Sequence, residues 1–136
     1  MKYQYIKYVC LFIIGIVVTS CYDRDVIDRK EFNHSMPAVE NLECKDNGSS
    51  VHLSWNIPAA IPEDIVRPID VRIQVVENDI YKQVVTVSEV VNQTDINTES
   101  GKSYHFIVKL VGNIKDESRM LGESSRVYSE GVIVKK

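Results

Sequence analysis

The sequence is poor in the residues on which many small enzymes and disulfide-bonded domains depend. It contains three cysteines and six glycines in 136 residues, and no two glycines are adjacent. No serine lies in a Gly-x-Ser-x-Gly elbow and no phosphate-binding loop is present. After residue 20, no stretch supplies the roughly 20 apolar residues that a bilayer-spanning helix needs. We therefore expect no enzymatic activity, no cofactor and no later membrane span.

Basic residues are also scarce in the part of the chain that we expect to fold. Residues 21–136 hold 14 of the 16 Lys and Arg and all 19 Asp and Glu, so their formal charge is 14 minus 19, or −5. Nucleic-acid-binding proteins usually carry a basic patch or stripe. This charge therefore argues against a nucleic-acid partner.

The first 21 residues have the build of a secretory signal. Lys2 and Lys7 precede a nearly unbroken apolar run from Val9 to Val18, which at about ten residues is too short to cross a bilayer. The small pair Thr19-Ser20 then stands directly before Cys21. This arrangement resembles a bacterial lipobox.

In lipoproteins of that kind the cysteine sulfur carries a diacylglycerol, and the acyl chains hold the protein on a membrane. The resemblance implies lipidation at Cys21, and plain secretion or a buried structural cysteine are the open alternatives. Tyr22 is not the aspartate that retains some lipoproteins in an inner membrane, so we expect an outer-membrane location. Asp23, Asp25 and Asp28 loosely resemble the acidic tract that exports some lipoproteins to the cell surface, but Arg24 and Arg29 interrupt this run. The cell surface and the periplasmic face are therefore equally open.

Three segments follow from this assignment: a signal peptide over 1–20, a flexible tether over 21–36 and a folded domain over 37–136. Cys10 leaves with the signal and Cys21 takes the lipid, so Cys44 is the only thiol left in the domain. A single thiol forms no internal disulfide. We expect Cys44 to be a small buried hydrophobic residue, and stability to come from an apolar core.

Alternation of apolar and polar residues predicts β-strands throughout the domain. In "SSVHLSWNIP", Val51, Leu53 and Trp55 share one face after an Asn-Gly turn. No window keeps apolar residues at helical spacing for three turns. About seven short strands in roughly a hundred residues predict an all-β, antiparallel sandwich. The strands are expected near 42–44, 51–57, 71–76, 81–87, 90–96, 104–110 and 127–134, with loops over 58–68 and 112–125.

Two stretches resemble the fibronectin type III family. "NLECKDNGSSVHLSWNIP" is similar to its first two strands, and "SGKSYHFIVKLVG" is similar to its sixth strand with the glycine and tyrosine of its corner. The chain departs from that pattern at Thr98, where the family usually has leucine. The resemblance implies that the Tyr104 hydroxyl bonds to backbone upstream. It also implies a core that includes Leu42, Cys44, Val51, Leu53, Trp55, Tyr104 and Phe106.

The three histidines do not form a predicted metal site. His52 and His105 both point outward, but in the resembled fold they lie on opposite sheets, whereas zinc needs its ligands about 2 Å from one centre. His34 lies in the predicted tether. We expect all three to be solvated surface residues.

Two loops are expected at the same end of the sandwich, and they carry the candidate partner-binding residues Ile61, Ile65, Arg119, Met120 and Leu121. Three interpretations stay open for them. The apolar side chains fold back over the core, or they form a contact patch for a protein, or Asp64, Asp116 and Glu117 hold calcium. No Asp-rich loop motif supports the calcium interpretation.

The leading hypothesis from the sequence is a lipid-anchored interaction module that presents loops or a sheet edge to another envelope protein. The alternative is a glycan-binding accessory lipoprotein of a polysaccharide-uptake system. Sugar sites normally use exposed aromatic side chains, and the candidate loops contain none. Tyr81 and Tyr128, both on predicted strands, are the aromatic residues left for that role.

Overall fold

The computed structural model describes residues 34–136, which form eight β-strands, one short 3-10 helix at Asp116–Ser118 and no α-helix. The predictions for residues 1–33 lie outside this described part. Within it, no helix is long and apolar enough to cross a membrane. The strands are β1 (Glu40–Asp46), β2 (Ser50–Asn56), β3 (Ile65–Glu77), β4 (Ile80–Ser88), β5 (Gln93–Asn97), β6 (Tyr104–Ile114), β7 (Arg126–Tyr128) and β8 (Val132–Lys135).

The strands form two antiparallel sheets with one hydrophobic core. One sheet has the order β1-β2-β5; the other has the order β4-β3-β6-β7, with β8 also paired to β6. Inward side chains of both sheets are buried, as in a sandwich whose strands alternate apolar and polar residues. The predicted all-β, antiparallel β-sandwich is confirmed.

The core residues expected from the sequence divide by their position in the sheets. Val51, Leu53, Trp55, Tyr104 and Phe106 are buried because β2 and β6 are interior strands. Leu42 and Cys44 are only partly buried and pack against the core from the edge strand β1. Burial raises the pKa of the Cys44 thiol, and Asp46 adds to this effect, so the thiol stays protonated at neutral pH.

The last predicted strand, 127–134, is divided into β7 and β8. The backbone N–H of Leu110 donates to the side-chain oxygen of Ser129 at 2.8 Å instead of to a carbonyl. A Cβ atom on Gly131 would lie 2.7 Å from Cγ2 of Ile107, so only glycine lets the chain pass β6 so closely. The sandwich therefore has eight strands and not seven.

The central strands are longer than the sequence pattern indicated. β3 begins at Ile65, inside the predicted loop 58–68, and β6 continues to Ile114, inside the predicted loop 112–125. Ile65 and Ile114 are paired partners, and both are buried. A bulge between Val66 and Asp70 interrupts the regular pairing of β3 with β6. The alternation of apolar and polar residues therefore does not continue to Ile65 and Ile114.

Tyr104 fastens the opposite end of the domain. Its hydroxyl accepts a hydrogen bond from the backbone N–H of Glu99 at 3.0 Å, which is the upstream backbone bond that the resemblance implied. The same hydroxyl donates to Glu77 at 2.8 Å, and Glu77 also accepts from Lys102 at 3.0 Å and from Lys82 at 3.3 Å. Hydrogen bonds from Lys102, then Tyr104 and Lys82, lower the pKa of Glu77 to about 2.

Replacing the buried Tyr104 by Phe removes both hydroxyl hydrogen bonds and keeps the ring. We expect Tyr104→Phe to lower the free energy of unfolding by about 1–2 kcal/mol, measured by urea denaturation. Tyr81→Phe is the matched control, because Tyr81 is exposed and its hydroxyl forms no hydrogen bond with any of residues 34–136. Equal effects of the two substitutions would contradict this role of Tyr104.

The carboxylate of Glu77 also predicts a pH dependence. Its pKa is about 2 in the folded chain against an ordinary value of 4.5, so its ionised form stabilises the fold fully above pH 4.5. That contribution is lost as the pH falls from 4.5 towards 2. We expect the difference in Tm between wild type and Glu77→Gln to be largest near pH 6 and to shrink at pH 3. A difference that grows on acidification would be contrary to this assignment.

Candidate functional site

One end of the sandwich carries three connections, and we call this end the loop pole. It consists of residues 57–64, 89–92 and 115–125, which follow β2, β4 and β6. The three connections lie at one end because β2, β4 and β6 all end on the same side of the antiparallel sheets. The opposite end carries the turns 47–49, 78–79 and 98–103. The loop pole is the part of the described chain with the most irregular backbone, where binding residues concentrate in β-sandwiches.

The first connection is held tightly to the domain. Ile61 and Ile65 are 8% and 3% exposed and belong to the core. The backbone N–H of Lys115 donates to the carbonyl of Asp64 at 2.8 Å, which joins this connection to the third. Ile61 and Ile65 therefore fold back over the end of the core, which is the first of the three interpretations for these loops. Their side chains are buried and so not accessible to a partner.

The third connection ends in an exposed apolar tip. Met120 is 60% exposed and Leu121 is fully exposed. The backbone N–H of Glu123 donates to the carbonyl of Met120 at 3.1 Å, and Gly122 has φ of +80°. These features describe a tight turn with glycine in its third position, which puts Leu121 at the corner. Arg119, at the start of this turn, lies 3.5 Å from Asp116.

Val90 and Val91 are functional candidates that sequence reasoning missed. The sequence pattern predicts that they begin a strand over 90–96, whereas β5 begins only at Gln93. The backbone N–H of Val91 donates to the carbonyl of Ser88 at 2.9 Å, so the chain turns there. Val90 is therefore 84% exposed and Val91 37% exposed, at the same end as Leu121. The turn signal in the sequence was weak, since Glu89-Val90-Val91-Asn92 contains neither glycine nor proline.

His34 lies between two carboxylates and is not the solvated residue that its place in the tether predicted. Its Nδ1 contacts Asp64, and its Nε2 lies 3.3 Å from a carboxylate oxygen of Glu123, although not aligned as a hydrogen bond. The side chain is only 10% exposed. The physical reason is Met36, which is buried and pairs with Ser129, so this part of the chain is drawn onto the domain.

The other two histidines agree with the expected positions. His52 is on β2 and His105 is on β6, which belong to different sheets. His52 lies 2.8 Å from Asp95 on the neighbouring strand, and His105 lies 3.9 Å from Asp79. Both are partly exposed, and neither is near the loop pole.

The weak calcium candidates Asp64, Asp116 and Glu117 have other roles. Asp64 contacts His34, and Asp116 contacts Arg119. Asp116 and Glu117 form the first turn of the 3-10 helix and point to solvent. Among residues 34–136, no group of three or more His, Cys, Asp or Glu side chains could hold a metal ion.

We expect His34→Ala to loosen the segment 34–39, because the substitution removes the imidazole that joins this segment to Asp64 and Glu123. The expected result is an increase of about tenfold or more in amide hydrogen exchange over 34–39. His52→Ala is the matched control, since it also removes a histidine–aspartate contact but on the far sheet. Unchanged exchange in His34→Ala would mean that Met36 alone holds the segment.

Comparison with known proteins gives one family. A family model described as a domain of unknown function (DUF4945) matches residues 21–136. Neither the curated proteins nor the solved structures contain a significant match.

Proposed function

We propose that this chain, which belongs to the family of domains of unknown function DUF4945, is a lipid-anchored, non-enzymatic interaction module of a bacterial cell envelope. In this proposal the loop pole binds another envelope protein. Outer-membrane attachment through a lipid on Cys21 is part of the same proposal, and the choice between cell surface and periplasmic face is left open.

The observation that carries the proposal is the set of apolar side chains exposed on the loop pole. Val90 and Val91 lie on the second connection, and Met120 and Leu121 lie on the third. Burying one such side chain against a partner stabilises a complex by about 1.5–3 kcal/mol. Exposed apolar groups gathered on loops usually mark a site of protein contact.

Charged side chains surround the apolar tips, as in the rim of a protein interface. Arg119 and Asp116 lie 3.5 Å apart on the third connection, and Arg67 lies 3.1 Å from Glu89 beside the second. Both signs of charge are present, so the rim is not specific for a strongly acidic or basic partner. The proposed binding residues are therefore Arg119, Met120, Leu121, Val90 and Val91, with Ile61 and Ile65 supporting the loops from the core.

The position of His34 supports a site near the anchor. His34 contacts Asp64 and lies 3.3 Å from Glu123, and both carboxylates belong to the loop pole. A fully extended chain from Cys21 to His34 would reach at most about 45 Å. The family match also begins at Cys21, the residue proposed as the first of the mature chain. A partner bound at the loop pole would thus be one that lies close to the membrane.

The finer assignment of the sandwich to the fibronectin type III fold is part of the proposal. The orders β1-β2-β5 and β4-β3-β6-β7 support it. The buried Trp55 on β2 and the Tyr104 bond to Glu99 support it as well.

The glycan alternative has less support. Tyr81 and Tyr128 are 58% and 47% exposed on the five-stranded sheet. Tyr81 pairs with Val76 of β3, and Tyr128 pairs with Val111 of β6. Val111 in turn pairs with Asp70 of β3, which is six residues before Val76. The two rings are therefore roughly 20 Å apart along the strand direction. One sugar ring does not contact both. We therefore place protein binding first.

Substitution of the exposed tips tests the proposed site in the full chain. We expect Leu121→Asp with Val90→Asp to reduce the yield of a crosslinked partner in intact cells by at least about tenfold, since charged groups replace buried apolar ones. Ile133→Asp is the control, because Ile133 is also exposed and apolar but lies on β8. Quantitative mass spectrometry of the crosslinked product is the measurement.

The anchor is tested in the same cells by Cys21→Ser, which we expect to move the protein from the membrane to the soluble fraction. A crosslinked product that contains only this chain would argue against the partner. An unmodified Cys21 in the mature wild-type protein would argue against the anchor.

A further inference from the structure

The two sheets have four edges in the described chain, and three of them are protected against pairing with another strand. β1 has four charged residues in seven and a register shift between Glu40 and Glu43. β5 is only five residues long, and the last edge is broken into β7 and β8, with three and four residues. Charges, bulges and short strands are the usual devices that keep sheet edges from associating.

β4 is the edge with the least protection of this kind. It is nine residues long, "IYKQVVTVS", with neither proline nor glycine, and its single charge is Lys82. A register shift at Val75 and Val76 places a bulge at Lys82, so residues 83–88 form a regular run with no charged residue at all. Among residues 34–136 nothing pairs with the outer side of this strand. A run of β-branched residues on a free edge is a template for strand addition.

The side chains of β4 also leave apolar surface for an added strand to cover. Val85 and Val87 point inward and pack against the core, but both stay partly exposed because no strand flanks them. Val84 and Thr86 point outward. Their partners on β3 are Gln74 and Arg72, which alternate with the buried Ile73 and Val75 and so lie on the outer face of the sheet. A neighbouring strand would cover both sets, one on each face.

We propose that β4 pairs in antiparallel fashion with β4 of a second copy of this chain, joining the two five-stranded sheets into one continuous sheet. The sequence of the strand is complementary to itself. With the two-fold axis at Val85, Val84 lies opposite Thr86, and Lys82 lies opposite Ser88. No like charges face each other in this pairing, and an isologous contact requires no other partner.

This surface adjoins the second connection of the loop pole, because that connection follows Ser88 of β4 directly. The two-fold axis places the loop poles of the two copies at opposite ends of the dimer. The dimer leaves the third connection of each copy, with Met120 and Leu121, free to bind the envelope partner. The dimer is an inference beyond the proposed function and stands or falls independently of it.

Charge pairs on the edge test the dimer in intact cells. Two differently tagged full-length copies are co-expressed, crosslinked and captured through one tag, and the second tag is quantified. We expect wild-type copies to be captured together. When both copies carry Val84→Lys and Thr86→Lys, co-capture should fall by at least about tenfold, because lysines then face lysines. Gln93→Lys on β5 is the control and should leave co-capture unchanged.

A complementary pair separates loss of the contact from loss of the fold. One copy carries the two lysine substitutions, and the other carries Val84→Glu and Thr86→Glu, so that opposite charges face each other across the axis. We expect co-capture to recover to the wild-type level. Absent co-capture of wild-type copies would overturn the proposal. So would lysine variants captured as well as wild type, or a Lys–Glu pair that fails to recover.

Discussion

The antiparallel pairing of β3 with β6 organises the whole domain. Val71, Ile73 and Val75 lie opposite Leu110, Val108 and Phe106, and all six side chains are buried. The described domain has a single thiol and so no disulfide, and this pair of strands forms the middle of its five-stranded sheet. Burial of these side chains against Trp55 and Leu53 of the other sheet is what keeps the two layers together.

The two ends of the domain differ in how they finish this core. At one end, Tyr104 and Glu77 form hydrogen bonds with Glu99, Lys102 and Lys82, so the hydroxyl and the carboxylate are satisfied, while Ile80 beside the turn 78–79 stays exposed. At the loop pole, Ile61 and Ile65 close the core, but the residues beyond them leave valine, methionine and leucine in solvent. Covering these apolar side chains with a partner would be favourable in free energy.

Parts of this arrangement could be predicted from local sequence and others could not. The interior strands β2 and β6 follow from alternation, since an inward residue at every second position is a local property. The ends of β3 and β6 did not follow, because a bulge between Val66 and Asp70 interrupts the period of two. The exposure of Val90 was missed because a β-branched pair favours a strand by propensity, whereas the hydrogen bond from the Val91 backbone N–H to the Ser88 carbonyl makes a turn there.

Alternation and turn residues were enough to predict an antiparallel β-sandwich with Trp55 and Phe106 inside. Periodicity and turn residues act between neighbours, so they can be recognised without coordinates. The folded structure was needed to show that Ile61 is buried while Leu121 is exposed, and that His34 lies between Asp64 and Glu123. Burial and charge pairing depend on which distant segments meet, and His34 and Asp64 are 30 residues apart along the chain. The free edge of β4 is likewise a property of strand order, which arises only when the sheet is assembled.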